Sequence, residues 1–474
     1  MINKNPFIHL LKTRGGYYLY DVNKNVIISI GKDVYDFLDK TPNKNSQQGI
    51  FEAVEKMKSK GYLSSKRVSE IIHPMDEVLM YYLNNKMKMI ILQVTRQCNL
   101  RCEYCVYSGN YENRSHSSER MSSEIAKKGI DFLIDHSRDS RNVAIAFYGG
   151  EPLLEFELIR ECVEYAEEKF EGKKVLFTFT TNGTLLYDNV LEYVRQHNFH
   201  IVISLDGPGE VHNKNRKFAS DCRGSFDKVM KNLENIRDKY PDIFSKLSLH
   251  AVVDRRNDFG CINNFFSNDK VVKDTKFTLS FVSEYYLKKA ISTSHDFHKK
   301  IIYEYFKLFL SKLGRLDEKY VSKLALPYYL EMEKRYKQLV PVKELNDKMH
   351  HGGPCIPGAQ RLFINVEGEL FPCERVNETS KLMRIGDLVN GFDMEKVRNI
   401  LNIGSITEGN CKECWAIRFC GLCAAAADDS TELSDTKKLS HCKNVKNTID
   451  SIFKDICALK EKGFDFESTD LKIV

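Results

Sequence analysis

The sequence has no apolar run long enough to cross a membrane. Stretches such as "MIILQV" fall far short of the roughly 20 residues a helical span needs. The start, "MINKNPFIHLLKTRGG", lacks an apolar core followed by a small-residue cleavage site, so no signal peptide is expected and the protein reads as cytoplasmic, with no membrane partner. No block of Lys and Arg is dense enough to argue for nucleic acid. Nor is there a repeat, apart from an alternation of strand and helix patterns. A disulfide framework is also disfavoured, because the 14 cysteines occur in a chain without an export signal.

What is present suits a soluble chain of several domains. A length of 474 residues exceeds one simple core and suggests two to four domains. Hydrophobic residues make up 42% and charged residues 29%, enough for real cores under a charged surface. Net charge is +6, and residues 1–90 hold 14 Lys and Arg against nine Asp and Glu. That bias hints at an acidic partner for the N-terminal part, although a solvated basic surface explains it equally well.

Residues 1–85 open with three short strand patterns, "FIHLLKT", "YYLYDV" and "NVIISI", followed by two helical ones, "KDVYDFLDK" and "GIFEAVEKMKSKGYL". Such a module reads as winged-helix-like, with a sheet edge able to accept an extended peptide. A structural cap on the larger domain is the alternative. Over 86–290 the texture becomes α/β. Strands at "KMIILQVT", "NVAIAFYG", "KVLFTFTT", "HIVISLD", "LSLHAVVD" and "KFTLSFV" alternate with helices, implying a parallel sheet, either open or a partial barrel. Residues 291–350 read as a helical connector, 351–446 as a cysteine-rich domain, and 447–474 as a C-terminal helix and tail.

The polar motifs fall at the strand ends, where α/β folds gather ligands. "CNLRCEYC" follows the first strand, "YGGEPL" the second, "TTNGTLL" the third and "SLDGP" the fourth. The first carries Cys98, Cys102 and Cys105, three soft thiolates with no fourth beside them. Soft thiolates select zinc, copper(I) or iron–sulfur clusters. Structural zinc wants a closed set of four ligands, whereas a 4Fe–4S cube on three thiolates leaves one iron open.

The spacing C-x3-C-x-aromatic-C directly after the first strand resembles the radical S-adenosylmethionine (SAM) enzymes, over residues 88 to about 290. The resemblance implies a partial (β/α)6 TIM barrel, with SAM chelated on the open iron and reductively cleaved to a 5′-deoxyadenosyl radical. It implies that Tyr104 packs beside adenine and that Gly149, Gly150 and Glu151 serve the SAM amino group. By the same resemblance Asn182 and Ser204 hydrogen-bond the ribose and methionine parts, and Arg216 pairs with the carboxylate. A guanidinium suits that last task because its planar fork matches a carboxylate.

"CKECWAIRFCGLC" alone would suggest a zinc ribbon. With Cys355, Cys373 and Cys442 the set numbers seven, and "GELFPC" places Gly368 ahead of Cys373. The pattern resembles the SPASM extension of peptide-modifying radical SAM enzymes, which implies two auxiliary 4Fe–4S clusters and three clusters in all. Carried over, Cys411, Cys414, Cys420 and Cys442 bind the outer cluster, and Cys355, Cys373 and Cys423 the inner one. Two departures stand out. Only two residues separate Cys420 from Cys423, where three are common, and the inner cluster lacks a fourth thiolate. Its iron is then open to a substrate thiolate, or closed by a ligand such as His351 or a distant cysteine.

Together the parts resemble maturases of ribosomally made peptides, of the sactipeptide and ranthipeptide type. The resemblance implies a precursor peptide with a leader and a cysteine-containing core, thioether formation as the reaction, and reduced ferredoxin or flavodoxin as electron donor. Carbon–carbon crosslinking, epimerisation or decarboxylation would use much the same parts, as would formylglycine formation in a sulfatase. From a different class, a non-catalytic iron–sulfur electron carrier explains the cysteines but not the strand-end motifs. A zinc-stabilised binding protein is the third alternative.

Overall fold

The computed structural model describes residues 5–40, 47–112, 114–289, 292, 294–352 and 355–467. The expected tail over 468–474 lies outside the described residues. Six strands pair in parallel and in chain order: Met89–Thr95, Asn142–Gly149, Lys174–Thr181, Phe199–Ser204, Ser248–Val253 and Lys276–Phe281. These are the six expected strands, and helices lie in each connection.

The pleat explains why these segments hold together. Side chains alternate between faces along a strand. Ile90, Leu92 and Val94, Val143, Ile145 and Phe147, and Phe177 and Phe179 lie on one face, all buried in the main core. Each such side chain contributes about 1.5–3 kcal/mol on burial. The opposite face is polar toward the later strands. His250 reaches Thr278 Oγ1 at 2.9 Å and Ser280 Oγ at 3.0 Å, while His200 reaches Ser248 Oγ at 3.0 Å. This face is therefore polar over the later strands, and the strand C-termini form its rim.

The cysteine-rich segment is continuous with this sheet. Leu362–Ile364 pairs in parallel with Met89–Thr95, and three antiparallel strands follow: Glu369–Phe371, Gly386–Asp387 and Gly391–Phe392. One ten-stranded sheet thus runs through both parts. The expected connector is helical, with helices His295–Lys312 and Leu326–Gln338. The last helix, Cys442–Glu461, starts five residues before the expected position 447. Its apolar face of Ile449, Ile452, Phe453 and Ile456 extends back to Val445 at helical spacing, which draws the "CKNV" turn into the helix.

The N-terminal strands Ile8–Lys12, Tyr17–Asp21 and Val26–Ile30 form an antiparallel sheet, followed by helices Lys32–Leu38 and Gln47–Ser59. Leu19 packs with Ile50, Val54 and Leu63 of the same module. Leu11 and Tyr20 pack instead with Phe419 and Phe453 of the C-terminal part. His9 stacks on Trp415 at 3.7 Å and bonds Asp450 at 2.8 Å. The module is thereby fastened to the cysteine-rich lobe.

Candidate active site and cysteine centres

The loop after the first strand turns back on itself through Cys105 N–H to the Cys102 carbonyl at 3.1 Å. Backbone amides already point at sulfur, with Leu100 N–H on Cys98 Sγ at 3.3 Å and Tyr107 N–H on Cys105 Sγ at 3.5 Å. Burial pushes the Cys98 thiol up to about 12 and raises Cys102 and Cys105 as well. Cys102 also feels the charges of both other sulfurs. Uncharged in the apoprotein, the three would release protons on taking iron. Among the described residues no three His, Cys, Asp or Glu side chains are gathered as a single-ion site requires. Three thiols on one loop, two of them already met by backbone amides, are a soft donor set that suits a 4Fe–4S cube.

The second motif packs against this loop through its glycines. A Cβ on Gly149, at φ 145°, would lie 2.0 Å from the Thr95 carbonyl oxygen, and one on Gly150 2.1 Å from that of Gln97. Only glycine permits the resulting bonds, Gly150 N–H to Thr95 O at 3.0 Å and Glu151 N–H to Gln97 O at 2.9 Å. The buried Glu151 carboxylate accepts from Thr181 Oγ1 at 2.7 Å, Asn182 N–H at 2.7 Å and Leu153 N–H at 3.1 Å. Burial raises its pKa to about 7 against these three donors. Its carboxylate therefore ties the second and third strand ends together.

Asn182 donates to Asn99 Oδ1 at 2.8 Å and lies 3.8 Å from Cys98 Sγ, so the third motif also abuts the cysteine loop. Ser204 is buried at the end of the fourth strand. Arg216 is held through its Nε and Nη2 by both oxygens of Asp206, at 2.8 and 3.1 Å. Tyr104 donates its hydroxyl to the same carboxylate. Burial raises the Asp206 pKa, but the Arg216 charge and hydrogen bonds outweigh it and leave the carboxyl below its usual value. Two of the five guanidinium N–H groups are thus committed within the protein. Asp206 lies inside the quoted "SLDGP", yet its pairing with Arg216 carries no sequence signal, since only the fold brings the two together.

Cys411, Cys414, Cys420 and Cys442 line one cavity of about 260 Å³. His351 and the buried Lys438 line it too. His351, one of the alternatives named for closing the inner set, lines the cavity of the outer four. Its position follows from Gly352, whose N–H bonds the Ile417 carbonyl at 3.1 Å and whose absent Cβ leaves room for Arg418 O at 2.3 Å. Cys355, Cys373 and Cys423 form a separate group. Burial pushes the Cys373 thiol up to about 12, and the other two sulfurs add to the shift. The remaining cysteines have other surroundings. Cys162 and Cys457 lie in helix cores, Cys261 bonds Glu210 at 2.6 Å, and Cys222 is exposed.

A further concavity of about 570 Å³ runs beside the strand Val26–Ile30, whose one strand partner among the described residues is Tyr17–Asp21. Its far wall includes Tyr336, Leu339, Val340 and Ile456, with Lys337, Lys460 and Glu467. Among the described residues no helix is long and apolar enough to cross a membrane.

Residues 92–258 match the model of the radical SAM superfamily. The chain is 36% identical over 121 residues to the uncharacterized protein MJ0907 of Methanocaldococcus jannaschii, a match covering 26% of this chain and 39% of that protein. It is 24% identical over 378 residues to the cysteine-type anaerobic sulfatase-maturating enzyme of Clostridium perfringens, covering 77% of this chain and 96% of the relative. Native anSMEcpe with bound AdoMet has a similar fold, with a TM-score of 0.58 at 20% identity over 78% of this chain and 99% of that one. Residues 92–258 thus form a radical SAM domain, and the chain shares the fold of anSMEcpe over most of its length.

Proposed function

We propose that this enzyme modifies a ribosomally made, cysteine-containing peptide by joining a cysteine sulfur to a carbon, with Cys98, Cys102 and Cys105 holding the SAM-binding cluster. The observation that carries the thioether reading is the three-thiol group Cys355, Cys373 and Cys423, whose sulfurs bear on one another electrostatically, with no fourth cysteine among the described residues acting on Cys355 or Cys373. An iron left open there suits a substrate thiolate as its fourth ligand. Two auxiliary clusters, the outer one on Cys411, Cys414, Cys420 and Cys442, complete the set.

When bound, the first cluster and SAM supply a one-electron cleavage that provides a hydrogen-abstracting carbon radical. The protein's part is to place and enclose. The glycine contacts of Gly149 and Gly150 hold the SAM side against the cysteine loop. Glu151 fixes Asn182, and Asp206 fixes Tyr104 and Arg216 at the rim, where SAM would lie. Coupling S–H to C–H removes two hydrogens. One leaves as an abstracted atom, the other as a proton and an electron that the auxiliary sites are suited to accept. Reduced ferredoxin or flavodoxin would supply the initiating electron.

The edge of Val26–Ile30 and its groove suit a leader peptide added as a fourth strand, and in the lining Lys460 and Lys337, the latter paired with Glu333 at 2.9 Å, outnumber Glu467, a bias toward an acidic leader. The test is anaerobic incubation with SAM, a reductant and a candidate precursor peptide that has a leader and a cysteine-containing core. The expected product is two hydrogens lighter per crosslink and resists thiol alkylation, with 5′-deoxyadenosine formed alongside it. The long match to the sulfatase-maturating enzyme favours a second reading, oxidation of a cysteine to formylglycine. A product that reacts with carbonyl reagents and needs no leader would establish that reading instead.

A further inference from the structure

His351 is 3% exposed and lines the cavity of Cys411, Cys414, Cys420 and Cys442; its ring lies beside the Cys420 backbone, but neither nitrogen makes a hydrogen bond of good geometry within the protein. A buried imidazole left unpaired is costly unless something occupies the cavity it faces. Its neighbour His350 is fully engaged, donating from Nδ1 to the His351 carbonyl at 3.1 Å and accepting Gly404 N–H on Nε2 at 2.8 Å. The two rings stand 4.2 Å apart, so His350 holds His351 in place. Lys438 lines the same cavity. It is 2% exposed, and its Nζ donates to Thr407 Oγ1 at 2.6 Å and lies 3.9 Å from Cys411 Sγ. Thr407 Oγ1 itself lies 3.3 Å from that sulfur.

Four thiolates already satisfy a cube, so a fifth donor is not needed as a ligand. We infer that His351 and Lys438 are positioning residues for the outer cluster, whose N–H groups bond its sulfurs and raise its reduction potential relative to a site with thiolates alone. The inference rests on the outer-cluster assignment made above. Adding one electron to a cube with four thiolates increases its negative charge by one. Hydrogen bonds to sulfur and a buried ammonium both favour the more negative state. Electron density on the cluster is thereby stabilised, as an acceptor of the electron released in crosslinking requires.

The test is an EPR-monitored redox titration of anaerobically purified protein, wild type beside His351→Ala, His351→Gln and Lys438→Met. The outer component is identified as the one missing from the Cys411→Ala/Cys414→Ala variant, and iron content is measured for each protein. Expected is a fall in the outer midpoint in His351→Ala and in Lys438→Met of at least tenfold in the reduction equilibrium, about 59 mV for one electron. The glutamine variant, which keeps an N–H donor, should recover part of it, with iron unchanged throughout. A wild-type midpoint in both the alanine and methionine variants would overturn the inference. So would loss of about four irons in His351→Ala alone, since that makes the histidine a ligand. If Cys411→Ala/Cys414→Ala keeps all its iron, the outer-cluster assignment itself fails, and the inference fails with it.

Discussion

At the scale of single residues, the site is built on contacts that leave no room for substitution. Replacing Gly150 with Ala sets a methyl group 2.1 Å from the Gln97 carbonyl oxygen, one residue from Cys98. The expected result is a loss of about 2–4 kcal/mol by denaturant unfolding, together with failure to retain iron at the first site. Glu151 carries a pH signature. Its folded pKa of about 7 lies above the ordinary value of 4.5, so the folded state binds the extra proton. Its contribution to stability is complete below pH 4.5 and is lost as pH rises through about 7, on the order of 3 kcal/mol for a fully buried group. Unfolding of the cluster-free protein should show that loss between pH 4.5 and 7, and the Glu151→Gln variant should show a flatter profile. The motifs "CNLRCEYC", "YGGEP", "TNG" and "SLDG" were legible because each is local. Their partners were not, because Asp206 meets Arg216 only when the short helix Gly209–Asn215 folds back on the fourth strand end, and Glu151 meets Thr181 only when two strand ends come side by side.

Among elements, the six barrel strands and the N-terminal strands announce themselves by apolar and branched runs of five to eight residues between turn residues. The strand Leu362–Ile364 does not. Three residues carry no readable period, so the continuity of the sheet into the cysteine-rich segment was hidden. The start of the last helix at Cys442 was hidden for a related reason, since Val445 alone marks the buried face in its first turn. The N-terminal sheet makes two further predictions. Reversing Lys337 and Lys460 to Glu should weaken binding of an acidic leader roughly fivefold to tenfold and reduce its salt dependence, as read by fluorescence anisotropy at two ionic strengths. Replacing His9 with Ala removes the stack on Trp415 and the bond to Asp450, and should cost about 1–2 kcal/mol in thermal unfolding. Trp415 adjoins Cys414, so the outer site should lose iron more readily in that variant.

For the whole molecule, one ten-stranded sheet carries the radical SAM rim at its parallel strand ends and continues into the cysteine-rich lobe, while the N-terminal module is clamped to that lobe by its own core. Such an arrangement suits a leader held at one side and a core peptide delivered to the rim. The account turns on how many clusters the cysteines hold. Iron and sulfide should be measured in protein isolated without oxygen, beside a variant with Cys98, Cys102 and Cys105 changed to Ala. Three cubes predict about twelve irons per chain in the native protein and about eight in the variant. About four irons that vanish in the variant would contradict the two auxiliary centres, and iron unchanged by the variant would contradict the radical SAM site itself.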